Sequence, residues 1–192
     1  MRSFGLGGYS LTSPKIGVLA LQGAFAKHRQ LLKKMGVCSC EVRTKKELDA
    51  CDGLIIPGGE STTLQIVGKD LLPAITTFEG AIFGTCAGAI LMAKLDLLNM
   101  DVLRNGYGRQ IASTETTVML TINNGEQKIK AIFIRAPIIT HVGPDVEILA
   151  TYQNQPVVVS NGRYLATTFH PELTEETKIH ELFLQRLLVK SR

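Results

Sequence analysis

Four short apolar runs, interleaved with stretches of helical period, set the tightest limit on what this chain can fold into. Lys15–Leu21 is rich in aliphatic residues and bounded by Pro14 and Gly23. Ala24–Met35 follows with Phe25, Leu31, Leu32 and Met35 on one side of a helix, and Gly36 supplies a stop. Val37–Val42 is a second strand and Gly53–Pro57 a third, running into Gly58 and Gly59. Ser61 can cap a helix beginning at Thr62, and Asp70 another with Pro73 in its first turn. Ala81–Thr85 is a fourth strand, followed directly by a helix from Ala87 to about Lys94. Apolar strands alternating with helices require a mostly parallel sheet covered on both faces.

The pattern changes after Leu97. Segments 114–122, 128–135, 145–151, 156–160 and 163–168 have strand character and are joined by polar turns such as Asn123-Asn124-Gly125 and Asn161-Gly162. Glu175–Val189 closes the chain as an amphipathic helix with Ile179, Leu182, Phe183, Leu187 and Leu188 on its apolar side. The expected fold is α/β, with antiparallel additions in the second half and one domain spanning 15–192.

Composition excludes several function classes. The net charge is +4, with no basic run longer than Lys33-Lys34 or Lys45-Lys46, so there is no footprint for nucleic acid. No apolar stretch approaches the ~20 residues that span a bilayer. Met1–Pro14 is rich in Gly and Ser and lacks an apolar h-region; it reads as a flexible extension or an expression scar rather than a targeting segment. The cysteines are Cys38, Cys40, Cys51 and Cys86, and without a secretory signal they read as reduced thiols in the cytoplasm. Cys38 and Cys40 have no second pair or His cluster to complete a metal site, so buried small side chains on a strand is the expectation.

Chemistry concentrates at three places. Gly84 and Gly88 flank Cys86 in G-x-C-x-G, the thiol counterpart of a serine nucleophile elbow, where a tight strand-to-helix turn needs small neighbours. A cysteine at a helix N-terminus sits where the dipole favours a thiolate, and the Ala87 N–H points at an oxyanion forming beside the sulfur. A buried cysteine at a packed junction is the competing reading of that motif alone. His170-Pro171-Glu172 supplies the partners: in an extended segment residues i and i+2 face the same way, so the carboxylate can hold Nδ1–H of the imidazole and leave Nε2 for the thiol. The third place is Pro57-Gly58-Gly59-Glu60-Ser61, where two glycines permit close approach to a ligand and Glu60 can pair with an α-ammonium group. It lacks the lysine of a phosphate loop and puts a carboxylate where an anion would sit.

Together these residues resemble the class I glutamine amidotransferases, whose triad is Cys-His-Glu in that chain order. Gly17–Ala24, Pro57–Thr63, Gly84–Gly88, Arg104–Gln110, Phe133–Pro137 and Phe169–Thr174 narrow the resemblance to the glutaminase subunits of pyridoxal 5′-phosphate synthase. It runs from about Lys15 to the last helix, with a shorter stretch than usual, about Leu95–Leu98, after the nucleophile's helix. The resemblance implies a flavodoxin-like three-layer α/β/α fold. It also implies a glutaminase that turns L-glutamine into glutamate and ammonia without metal or organic cofactor. Catalysis would fall to Cys86, His170 and Glu172, and glutamine would be held around Gly59, Glu60, Ser61, Arg104, Ile134 and Arg135. Gly59 and Ala87 N–H groups would be the oxyanion donors. The implied partner is a synthase subunit that receives ammonia through a tunnel, with Gln22-Gly23-Ala24 as the candidate surface that senses it and little activity without it. Rival readings are a glutaminase serving another acceptor, such as imidazole glycerol phosphate synthase, and a DJ-1-like cysteine hydrolase. Glu60-Ser61 and the Arg104–Gln110 motif weigh against the first; the second would not need Gly-Gly-Glu-Ser or the His-Pro-Glu spacing.

Overall fold

The computed structural model of the protein describes residues 13–59, 71–104, 106, 113–122 and 125–187. The expectations for 1–12, Glu60, Ser61, the helix from Thr62, the Asp70 cap, most of the Arg104–Gln110 motif, the Asn123-Asn124 pair and the helix beyond Leu187 lie outside the described residues.

Seven strands form the main sheet in the order β2-β1-β3-β4-β11-β10-β9. They are β1 (Lys15–Leu19), β2 (Cys38–Val42), β3 (Gly53–Ile56), β4 (Ala81–Thr85), β9 (Glu147–Tyr152), β10 (Gln155–Ser160) and β11 (Tyr164–Thr167). From β2 to β11 all neighbours are parallel; β10 and β9 extend the sheet antiparallel. Two ribbons lie outside it, β5 (Met100–Leu103) with β8 (Ile138–Val142), and the long hairpin β6 (Ser113–Ile122) with β7 (Gly125–Ile134). Among the described residues the α-helices are α1 (Phe25–Lys34), α2 (Lys45–Leu48), α3 (Leu72–Thr76), α4 (Ala87–Lys94) and α5 (Lys178–Arg186).

Strand alternation sorts the core into two layers. Ile16, Val18, Ile55, Phe83 and Leu165 face one side, where α1 (Leu32), α5 (Ile179, Phe183) and the β6–β7 hairpin (Leu120, Ala131) cover them. Leu19, Leu54, Ile56, Ile82 and Ala166 face the other, under α2 (Leu48), α3 (Ile75), α4 (Leu91, Met92) and β5–β8 (Met100, Ile139). This is the flavodoxin-like three-layer arrangement anticipated above, with its antiparallel additions in the second half. Leu97 and Leu98, in the short stretch after α4, are buried in the second layer.

Two details depart from expectation. Helix α2 was not anticipated; Thr44 starts it with a capping box, its Oγ1 accepting from Glu47 N (3.3 Å) while Glu47 accepts from Thr44 N (2.9 Å). Cys38 is exposed and Cys40 half-buried rather than buried, β2 being the edge strand of the sheet. All four cysteines are free, and the Cys40–Cys51 sulfurs lie 3.5 Å apart, well beyond a disulfide bond.

Candidate active site

The carboxyl ends of β3, β4 and β11 are neighbours, and each delivers one part of the site there, as ligand sites in parallel sheets usually are placed. Strand β4 ends at Thr85, and Cys86 turns the chain into α4 with φ 49° and ψ −106°, a conformation L-residues rarely take. Its N–H donates to Thr167 O at 2.8 Å on β11, which pins the elbow to the next strand. The flanking glycines serve space rather than the bend itself. A Cβ on Gly88 would run into the Ile56 carbonyl, 2.9 Å from its carbon, and one on Gly84 would lie 2.5 Å from Met92 Sδ and 2.8 Å from Gly88 C. Ala87 opens α4, where first-turn N–H groups have no intrahelical acceptor.

Strand β11 runs parallel to β4, with Thr167 opposite Thr85. After the buried Phe169 comes His170, whose N–H donates to Ile132 O at 2.9 Å at the end of β7. The extended geometry expected for His170–Glu172 does not occur. Pro171, with its fixed φ, starts a single 3₁₀ turn over Pro171–Leu173, and that turn folds Glu172 back under the imidazole. Glu172 Oε1 lies 2.7 Å from His170 Nδ1. A carboxylate only accepts, so Nδ1 carries the proton and Nε2 is left for the thiol. Burial works against a charged imidazole, but hydrogen bonds to Cys86 and Glu172 outweigh it and raise the His170 pKa to about 10. Burial also pushes the Glu172 carboxyl up, yet His28 and His170 beside it prevail and hold it below its ordinary value.

Gly58, after β3, closes the site. Its N–H donates to Thr85 Oγ1 at 2.9 Å, and a Cβ there would lie 3.0 Å from His170 Nδ1 and 3.2 Å from Cys86 Cβ. Gly59 packs on the Gln22 amide, and Ala24 N donates to Gly58 O at 3.2 Å, so the first strand–helix turn braces this loop. On the opposite side Ile134 O is 3.8 Å from Cys86 Sγ, and Arg135 follows, exposed, with φ 44°. Arg104 comes at the end of β5, whose Leu103 pairs with Ile138 only three residues beyond Arg135. Of the expected glutamine contacts, Ile134 brings its carbonyl to the thiol, Gly59 follows Gly58 in the loop beside it, and Arg135 and Arg104 directly follow Ile134 and Leu103 in the chain; Glu60 and Ser61 lie outside the described residues.

Three polar residues behind the triad were not anticipated: His28 on α1, Thr85 on β4 and His180 on α5, all fully buried. His28 Nε2 is 3.4 Å from Glu172 Oε2 and 3.3 Å from Thr85 Oγ1, and its Nδ1 is 3.0 Å from His180 Nε2. Phe83 stands edge-on to both imidazoles. Their signal in the sequence was a histidine on the apolar stripe of each helix, His28 in line with Leu31 and Leu32, and His180 beside Ile179 and Phe183.

Comparison with known proteins gives a consistent result. The model of the SNO glutamine amidotransferase family matches residues 18–189. A protein of Oenococcus oeni named pyridoxal 5′-phosphate synthase subunit PdxT is 47% identical over 184 residues, covering 89% of this chain and 95% of its own. The protein of that name from Thermotoga petrophila is 46% identical and is covered over 98% of its length. A crystal structure of a glutamine amidotransferase superposes with a TM-score of 0.82 at 39% identity, over 91% of this chain and 99% of that one.

Proposed function

This chain belongs to the SNO glutamine amidotransferase family, and from that premise we propose that it is the glutaminase subunit of a pyridoxal 5′-phosphate synthase, using Cys86, His170 and Glu172 as its triad. The observation that carries the assignment is the placing of a strained Cys86 and a hydrogen-bonded His170–Glu172 pair on adjacent parallel strand ends.

The Cys86 sulfur attacks the side-chain amide carbon of L-glutamine, and the carbonyl oxygen takes up the electron pair as an oxyanion facing the Ala87 and Gly59 N–H groups. His170, which takes the Cys86 thiol proton on Nε2 as the sulfur attacks, passes it to the amide nitrogen, which leaves as ammonia while the γ-glutamyl thioester forms. Neutral His170 then takes a proton from water, the hydroxide adds to the thioester carbon, and glutamate departs as the sulfur recovers its electrons. Glu172 keeps Nδ1 protonated throughout, so Nε2 alone exchanges protons. The α-carboxylate and α-ammonium groups of glutamine are read by Arg104, Arg135, Ile134, Glu60 and Ser61.

Ammonia released here passes to the synthase subunit. The turn Gln22–Ala24 is the candidate for sensing that subunit, because it packs on the Gly58–Gly59 loop beside the nucleophile. Four free cysteines fit a reducing, cytoplasmic setting. The decisive measurement is glutamine hydrolysis by wild type and Cys86→Ala, each alone and with the synthase. Wild type should be strongly stimulated by the partner, and Cys86→Ala should lose about 10³-fold or more in kcat. Retained activity in the variant would remove the triad, and equal wild-type rates with and without synthase would remove the gating.

A further inference from the structure

Glu172 turns one oxygen to His170 and the other inward, where it makes no ordinary hydrogen bond among the described residues. His28 Nε2 faces that oxygen at 3.4 Å. The protonation of this sealed cluster follows by elimination. Were His28 protonated on Nδ1, its bare Nε2 lone pair would face a carboxylate oxygen. His180 Nε2 would then have to accept, leaving its proton on Nδ1, an atom that is buried and has no partner. Both faults vanish together if each ring carries its proton on Nε2. His180 Nε2–H then donates to His28 Nδ1, His28 Nε2–H is shared between Glu172 Oε2 and Thr85 Oγ1, and only a lone pair is left without a partner.

We propose that His28 and His180 are positioning residues for the glutaminase reaction, a one-way line of N–H donors that fixes the Glu172 carboxylate against His170. The inference rests on the triad reading above and extends it by two residues that touch neither substrate nor thiol. Burial is the main reason both rings stay neutral, lowering the pKa of His28 and taking that of His180 to about 3. The groups facing His28 are Glu172 and His170 from the turn after β11, Thr85 from β4 and His180 from α5. Thr85 gives the line a second use. Its hydroxyl also accepts from Gly58 N, so the loop over the thiol and the carboxylate behind the imidazole share one brace. Phe83, edge-on to both rings, limits their rotation.

Histidine-selective ¹⁵N NMR of the wild-type chain tests the arrangement without reference to activity: His28 and His180 should both be neutral with the proton on Nε2. A proton on His28 Nδ1 would overturn the proposal. In the complex with synthase, His28→Leu should lower kcat about 10- to 30-fold with KM for glutamine changed less than about twofold. Its acid limb should move up by about one pH unit, because the ionised carboxylate has lost a donor. His28→Gln, which restores an N–H near Nε2, should recover kcat to within about threefold of wild type and return the limb to its place. Unchanged kcat and acid limb in His28→Leu would overturn the proposal, as would a folded His28→Gln that is no better than His28→Leu. Should His28→Leu fail to fold, the NMR assignment and His28→Gln still decide. Activity surviving in Cys86→Ala would sink the triad while leaving the tautomers measurable; a wrong tautomer with an inactive Cys86→Ala would sink this proposal alone.

Discussion

The two strand ends that meet at the site are held by different physics. At the end of β4 the nucleophile is fixed by main chain and by volume: a φ of 49° at Cys86, an N–H to Thr167 O, and two glycines with no room for a methyl group. At the end of β11 the base is fixed by polar side chains: His170 on Glu172, and Glu172 on a buried pair of imidazoles. The first kind of support tolerates almost no change in shape, because packed backbone has nowhere to move. The second tolerates shape better than charge, since a buried carboxylate depends on the donors aimed at it.

The largest effect should therefore come from adding one methyl group at the elbow. In Gly88→Ala the new Cβ would meet the Ile56 carbonyl, a backbone atom inside the central sheet that cannot rotate away. A loss of about 3–5 kcal/mol in unfolding free energy, read by urea denaturation, is the expected result. Gly84→Ala meets the flexible Met92 side chain first and should cost less. If the two variants were equally stable, space at Gly88 would not be what holds the elbow.

On the polar side, Glu172→Gln keeps volume and removes charge. It should lower kcat about 100-fold, or about 2.7 kcal/mol in activation free energy, because the amide no longer holds His170 in one tautomer. Stability against pH gives a second reading. His170, raised from 6.5 to about 10, contributes stability that is complete below pH 6.5 and is lost as pH rises to about 10. Glu172 is held below its ordinary 4.5, so its contribution is complete above that pH and fades as pH falls through the lowered value. The stability gap between wild type and Glu172→Gln should accordingly be widest at pH 4.5–6.5 and narrow in both directions. A gap independent of pH would mean that packing rather than charge supports this side.

This difference also explains what could be read from sequence. The elbow was legible because its steric demands leave a local pattern, Gly84-x-Cys86-x-Gly88, and the parallel half of the sheet was legible from its apolar runs. The nearness of His170 and Glu172 was legible, but its cause was not: Pro171 opens a 3₁₀ turn where an extended strand was expected. Short elements such as α2, β5 and β8 carry too little periodicity to be seen. His28 and His180 are separated by 152 positions, and only tertiary packing brings them together.

The smallest effect isolates the strain itself. Replacing Cys86 by Ala or by Gly removes the thiol in both cases, so the two variants differ only in Cβ. At an ordinary position the glycine variant would be less stable by about 0.5–1 kcal/mol, through the entropy of its unfolded chain. At φ 49° and ψ −106° the alanine variant keeps a backbone strain of about 1–3 kcal/mol that glycine escapes. The sign should therefore reverse, with Cys86→Gly more stable than Cys86→Ala by about 1 kcal/mol, or about 2–4 °C in Tm for a chain of this size. The pair can be compared by calorimetry in the absence of glutamine and synthase. An alanine variant equal to or more stable than the glycine variant would show that Cys86 stores no strain, and that glycine spacing alone shapes the elbow.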